Sequence, residues 1–167
     1  MTVIAIMGII AVTALPALSS ARTASLASLA DRVAIELSQA RARAMSEGVP
    51  QGVTISADAI EPVTIPSAGQ SPDSALSPLG TPAEPVAIAD YQPATPSAAI
   101  GGDGIGSLPI TIWFAIDGTP HARTIAGAPL PAWTTDASIS ISREGSATVS
   151  HRVVVHRISG FVEVVTP

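Results

Sequence analysis

Three histidines, His121, His151 and His156, are the side chains of this 167-residue chain best suited to acid–base work or metal ligation. Their spacing argues against a shared site. His151 and His156 are five residues apart, so along a regular strand they point to opposite faces, and only a bulge would bring them to one metal. The chain holds no Gly-x-Ser-x-Gly elbow and no His-Glu-x-x-His pair. Asp90, Asp103 and Asp117 fall in segments read as loops, where solvated acids are the default, and nothing in their spacing selects a pair. The run Gly101-Gly102-Asp103-Gly104-Ile105-Gly106 is followed by Ser107-Leu108-Pro109, without the lysine or helix start of a phosphate loop, and reads as a hinge. The absence of cysteine excludes disulfides, thiol catalysis and cysteine metal sites. A net charge of −5, with 8 arginines and no lysine, disfavours a protein that coats nucleic-acid phosphates. No catalytic, cofactor-binding or metal-binding residue is assigned, no cofactor is expected, and an enzyme is not expected.

With chemistry set aside, the elements carry the information. Only 13% of residues are charged against 47% hydrophobic, a balance that points to a segment in lipid. No charge occurs from Met1 to Ala21; the first is Arg22. A helix of that length reaches about 30 Å, the thickness of a bilayer's hydrocarbon core. Val3, Ile4, Ile6, Ile9, Ile10, Val12 and Leu15 are distributed all round it, unlike the single stripe of a soluble helix, and Pro16 predicts a kink. From Leu26 the pattern changes. Leu26, Leu29, Val33, Leu37, Ala40 and Ala44 recur every three or four residues on one face, with Arg22, Asp31, Arg32, Glu36, Gln39 and Arg43 largely off it. Gly48 and Pro50 supply the stop. The spacing predicts one helix over 1–47, membrane or filament core over 1–21 and amphipathic over 22–47. A secretory signal is the competing reading, because Ser19 and Ala21 are small residues two apart after an apolar run.

Beyond the helix, a first strand region covers 48–61, with Gly52-Val53-Thr54-Ile55-Ser56 as the strand. Residues 62–108 read as a Pro/Gly-rich loop arm, because eight of the fifteen prolines lie between Pro62 and Pro96; Val86–Ala89 could add a short edge strand. Residues 109–167 read as antiparallel β structure. Ile110, Ile112, Phe114 and Ile116 alternate towards one face before an Asp117-Gly118 turn. Ile139 and Ile141 alternate with serines before a turn at 143–146. Val149–Ile158 and Phe161–Val165 flank Ser159-Gly160, a two-residue hairpin signal that would set Val155 opposite Val164, His156 opposite Glu163 and Ile158 opposite Phe161. The expected fold class is α+β: a long N-terminal helix whose amphipathic half packs through Leu26, Leu29, Val33 and Leu37 on a small, mostly antiparallel sheet or two-sheet sandwich.

The stretch Val3-Ile4-Ala5-Ile6-Met7-Gly8-Ile9, with Pro16 eight residues after Gly8, resembles the N-terminal helix of type IV pilins and type II secretion pseudopilins. Leu37, Ala40, Arg41 and Ala44 match the Leu-x-x-Ala-Arg-x-x-Ala pattern of the GspH/FimT branch, which precedes a short strand there. The resemblance extends over 1–57 and, more weakly, over 109–165. It implies a minor pseudopilin of a type II secretion system, single-pass in the inner membrane with a periplasmic C-terminal domain. It would assemble with other major and minor pseudopilins through the N-terminal helix into a short pseudopilus tip, with secreted proteins as further candidate partners. Family members carry a basic leader and Phe-Thr-Leu-x-Glu before the matched stretch; Met1 stands about six residues inside it, which implies a start codon placed too late or a degenerate paralogue. Two alternatives stay open. A FimT-like pilin taking up DNA would show Gly-Arg-x-Arg where Gly160-Phe161-Val162-Glu163 stands, so DNA is not an expected partner. An exported β-domain cut after a Sec signal would begin near Arg22.

Overall fold

The computed structural model describes residues 2–65, 72–77, 81–100, 108–123 and 129–167; for 2–23, 97–100, 122–123 and 129–132 it describes the backbone alone. One helix, α1 (Thr2–Glu47), opens the chain. It stops at Gly48, whose φ of 68° is the left-handed conformation that closes helices and whose N–H bonds the Ala44 carbonyl at 3.2 Å. The strands follow as β1 (Gln51–Ile55), β2 (Ala59–Thr64), the two-residue β3 (Asp73–Ser74) and β4 (Val86–Ala87), and, after a 3₁₀ turn at Ile88–Tyr91, β5 (Ala94–Ile100), β6 (Ile110–Phe114), β7 (Pro120–Arg123), β8 (Pro129–Ala132), β9 (Ala137–Arg143), β10 (Val149–Val155) and β11 (Val162–Val165). Among the described residues they form two sheets. One has seven strands in the order β3-β2-β1-β6-β7-β8 with β4 also on β2; the other has four, β11-β10-β9-β5.

The helix is the element the two sheets share. Leu29, Val33, Leu37, Ala40 and Ala44 join Val53 and Ile55 of β1, Ile112 and Phe114 of β6, Ile139 and Ile141 of β9, and Val153 and Val155 of β10 in one buried cluster. A single apolar stripe on α1 thus becomes the floor of both sheets, which is the α+β arrangement the helical and alternating patterns imply. Because two sheets wrap the helix, they cover more of it than one stripe. Glu36, read as lying off the apolar face, is only 4% exposed, and Arg32 one turn earlier pairs with it at 2.7 Å. Burial of a carboxylate is costly without such a partner.

Three expectations are corrected. First, proline density between 62 and 108 does not make that stretch a mere connection, since the second half of β2, then β3, β4 and β5 fall there. Pro62 is tolerated because it lies between the part of β2 that pairs with β4 and the part that pairs with β3. Its carbonyl accepts the Ala75 N–H at 3.0 Å, so its missing donor faces the same gap. Pro96 sits in an edge strand at an irregularity between Pro96 and Ala98, the other place where a strand accepts proline. The Gly101–Gly106 hinge lies outside the described residues. Second, β6 ends at Phe114, and Ile116 is 59% exposed beyond the core. Trp113, on the alternate face, is buried instead, its ring lying over Gly52 so closely that a Cβ there would meet Cε3 at 2.7 Å.

Third, the last hairpin closes through a four-residue loop. The His156 N–H bonds the Phe161 carbonyl at 2.9 Å and the Gly160 N–H bonds the His156 carbonyl at 2.8 Å. Val155 therefore faces Val162, Val154 faces Glu163 and Val153 faces Val164, a shift of two that leaves each side chain on its original face. The loop packs on groups outside the hairpin. Gly160, at φ 65°, is pressed against the Gly118 carbonyl and the Arg41 side chain; a Cβ there would fall well inside the 3.0 Å below which real contacts do not occur. Gly160→Ala is expected to cost about 3 kcal/mol or more, from left-handed strain plus this clash, whereas Gly145→Ala, at φ 73° with open space around it, should cost about 1–2 kcal/mol. Equal losses of melting temperature in the two variants would show that the Gly160 contact does not shape the loop.

Candidate functional site

The helix from residue 24 onward has two faces with different fates. Leu26, Leu29, Val33 and Leu37 all belong to the buried cluster. Opposite them, Ala24, Ser28, Asp31, Ile35, Ser38, Ala42 and Met45 are exposed. Ile35 stands out there, a large apolar side chain 45% exposed in the middle of a mostly small and polar face. A shallow groove beside it is walled by Asp31, Ala34, Ser38 and Ala42, and a second, sharing Asp31 and Ile35, runs on towards Ala24, Ala27 and Tyr91. Small residues let another backbone approach closely, so this face can receive a helix without rearrangement. Val3, Ile4, Ile6, Ile9, Ile10, Val12, Leu15 and Pro16 lie in the same helix, with side chains outside the described residues.

The second feature is a junction at the end of the domain where α1 stops. Arg41, the arginine of the Leu37/Ala40/Arg41/Ala44 pattern, donates from Nε to the Gly118 carbonyl at 3.3 Å. Gly118, at φ 81°, lies against Met45 Sδ and Arg41, and Gly160 lies against Gly118. Thus α1, the β6–β7 turn of one sheet and the β10–β11 loop of the other meet at one point. Leu37, Ala40 and Ala44 supply the buried part of that pattern and Arg41 the polar latch. The β6–β7 turn is held by Asp117, whose carboxylate accepts from the Thr119 hydroxyl at 2.7 Å and the Thr119 N–H at 2.9 Å. The hydroxyl bond first, then the backbone bonds, hold its pKa below the ordinary aspartate value of 3.8. Around this junction Ile116, Ile158 and Phe161 are exposed, so three apolar side chains from two sheets crowd one end.

The histidines do not converge. His121 lies in β7 of the seven-stranded sheet, His151 in β10 of the other, and His156 just beyond β10. Among the described residues no group of three or more His, Cys, Asp or Glu side chains could hold one metal ion. The outward helix face as a surface and the bond from Arg41 to the Gly118 carbonyl do not follow from the sequence analysis, although Arg41 itself does. The isolated Ile35 on a polar helix face was the signal for the first, and Arg41 within the Leu37/Ala40/Arg41/Ala44 pattern was the signal for the second.

No family model matches the chain, and neither does any curated protein. Among solved structures, the chain resembles the minor pseudopilin EpsH from the type 2 secretion system of Vibrio cholerae, with a TM-score of 0.61 over 86% of this chain and 96% of that one, at 14% sequence identity. The chain shares the pilin-like α+β fold of EpsH. The match spans nearly all of that pseudopilin, so helix and both sheets take part in it.

Two predictions follow from this geometry. Leu37→Ala should cost about 2–5 kcal/mol by leaving a cavity between helix and sheets, while Ile35→Ala should stay within about 0.5 kcal/mol; chemical denaturation of both checks it. Asp117→Asn should lower the melting temperature at neutral pH. Because the folded-state acidity of Asp117 is strengthened, its contribution is complete above the unfolded value and lost as pH falls through the folded one. The melting curves of wild type and variant should therefore converge in acid, and a gap that persists there would contradict the assignment.

Proposed function

We propose that this chain is a minor pseudopilin subunit of a type II protein secretion system. The observation that carries the reading is the fold itself: one helix serves as a layer of the globular core on one face and stays uncovered on the other. A subunit built this way is already folded before it assembles, and it keeps a helix face free for neighbours. Residues 1–21 hold the subunit in the inner membrane and then pack among similar helices in the pseudopilus, while the β-domain stands in the periplasm. This anchor rests on the residue types from Val3 to Leu15. Among the described residues no helix is long and apolar enough to cross a membrane, and the side chains of 1–23 lie outside them. Other major and minor pseudopilins are the partners through the helix, and the apolar end bearing Ile116, Ile158 and Phe161 is available to other subunits or to a secreted protein. No covalent chemistry is required of such a subunit; its work is helix packing and surface display.

The test separates anchor from assembly. Ile6→Asp and Ile9→Asp should move the protein from the membrane to the soluble fraction, since a charge near the bilayer centre costs a few kcal/mol. Ile35→Asp should leave membrane retention and melting temperature unchanged yet abolish co-purification with other pseudopilins. Membrane retention of the first two variants would remove the anchor from this reading. A soluble wild-type protein beginning near Arg22 would replace the pseudopilin with an exported β-domain.

A further inference from the structure

The edges of the two sheets are not alike. Among the described residues the seven-stranded sheet ends at β3 and β8, with β4 also on β2, and the four-stranded sheet ends at β5 and β11. An open edge strand offers unpaired N–H and C=O groups to any extended chain, and natural edges are blunted by proline, by a bulge or by shortness. β3 and β4 have two residues each. β8 carries Pro129 and Pro131, and β5 carries Pro96 beside an irregularity. β11 has none of these devices. It runs Val162-Glu163-Val164-Val165 in unbroken register with β10.

The ladder fixes which groups of β11 point outward. The His156 N–H bonds the Phe161 carbonyl, so these two residues form a hydrogen-bonded pair in the β10–β11 register. Such pairs alternate along an antiparallel ladder. Glu163 and Val165 therefore turn their backbone groups to β10, and Val162 and Val164 turn theirs away from it. Side chains divide differently. Val162 and Val164 lie on the face of the buried Val153 and Val155, and Val162 packs against the core. Phe161, Glu163 and Val165 form the opposite row, with Phe161 and Val165 exposed. Glu163 Oε1 lies 3.2 Å from His156 Nε2, and its Oε2 has no partner among the described residues. Along the edge this row reads apolar, acidic, apolar.

We propose that β11 is a strand-addition site for a partner protein, taking an extended segment with a basic residue between two apolar ones. The segment's backbone bonds the outward N–H and C=O groups of Val162 and Val164. Its apolar side chains cover Phe161 and Val165, and its cation meets the open oxygen of Glu163. Opposite charges directly across a strand pair favour pairing, and like charges oppose it. A second copy of this chain is for that reason a poor occupant. Paired about the centre of β11, two copies would set one Glu163 against the other. Through Phe161 the site is continuous with the apolar end that carries Ile158. It does not require the pseudopilin reading, since an open edge acts in any β-domain.

Amide hydrogen exchange on the full chain in detergent micelles tests the site, with the synthetic peptide Thr-Val-Val-Arg-Val-Val-Thr as probe. The peptide reads the same in both directions, and its counterpart with Glu in place of Arg is the control. The Arg peptide should slow exchange of the Val162 and Val164 amides several-fold and bind about three- to tenfold more tightly than the Glu peptide. Glu163→Arg should reverse that preference. Val164→Pro removes an outward donor that β10 does not use, so it should abolish binding of the Arg peptide while the β10–β11 pairing persists. No added protection at Val162 and Val164 at the highest peptide concentration would overturn the proposal, as would full affinity in Val164→Pro. Protection of those amides that rises with protein concentration, in the absence of peptide, would replace the partner with a second copy. Should Val164→Pro fail to fold, an unchanged peptide preference in Glu163→Arg would overturn the proposal equally.

Discussion

Burial of one face of α1 against two sheets at once is the constraint on which the rest of this structure depends. Neither sheet has a partner layer of its own across the core: Val53 and Ile112 from one sheet and Ile139 and Val153 from the other all end on the same helix. Each buried aliphatic side chain of this kind contributes about 1.5–3 kcal/mol relative to exposure, which makes the Leu29–Ala44 stripe the largest shared source of stability. It also explains why Glu36 is carried into the interior. A helix flanked on two sides has little perimeter left, and an acid three residues from Val33 is enclosed whether or not burial suits it. Arg32 compensates at 2.7 Å, with its own side chain left partly exposed to solvent.

The same constraint accounts for the junction at the helix end. Two sheets resting on one rod are free to splay unless something couples them, and the coupling here is polar and local. Arg41 reaches the Gly118 carbonyl, and Gly160 from the other sheet packs on that same carbonyl. A latch of this form requires glycine on both loops, because each is at positive φ and each has a neighbour where a side chain would stand. The Leu-x-x-Ala-Arg-x-x-Ala spacing thus has a physical meaning in this molecule: small and aliphatic residues settle the helix into the core, and the arginine between them ties the two loops beyond it.

A helix that completes its own domain while leaving its other face open is well suited to assembly by addition. The inward stripe holds the fold and the outward face, with Ile35 amid alanines and serines, costs little to expose before a neighbour arrives. The two ends of the domain differ in kind. At the middle of α1, the Ser25 hydroxyl bonds backbone carbonyls at Tyr91 and Gln92, tying the 3₁₀ turn to the helix. Where the helix stops, exposed isoleucines and Phe161 stand beside the hydrogen-bonded His156 and Glu163 side chains. Attachment by the helix and display at the far end are therefore separate properties, carried by different residues.

Periodicity of the chain alone determined the helix, its inward stripe, the strand expected at 52–56 and found at 51–55, and the alternating strands of the last third. These depend on neighbours three, four or two residues away, and a sequence records such spacing directly. The same spacing pointed to an α+β fold and the resemblance of residues 1–57 to pilins implied its pilin-like form, which the structure shows. What only the tertiary structure decided involves residues far apart. The final hairpin closes two positions from the expected register, with its Gly160 set against Gly118 and Arg41, over a hundred positions earlier for the latter. The strand at 94–100 formed despite Pro96 because an edge position asks little of a donor, and being an edge is a property of the sheet, not of the segment. Glu36 became buried and Ile35 stayed exposed, adjacent residues whose fates follow from where the two sheets lie around the helix. Hydrophobicity says what a residue prefers; only the packed layers say which side of the helix is left for it.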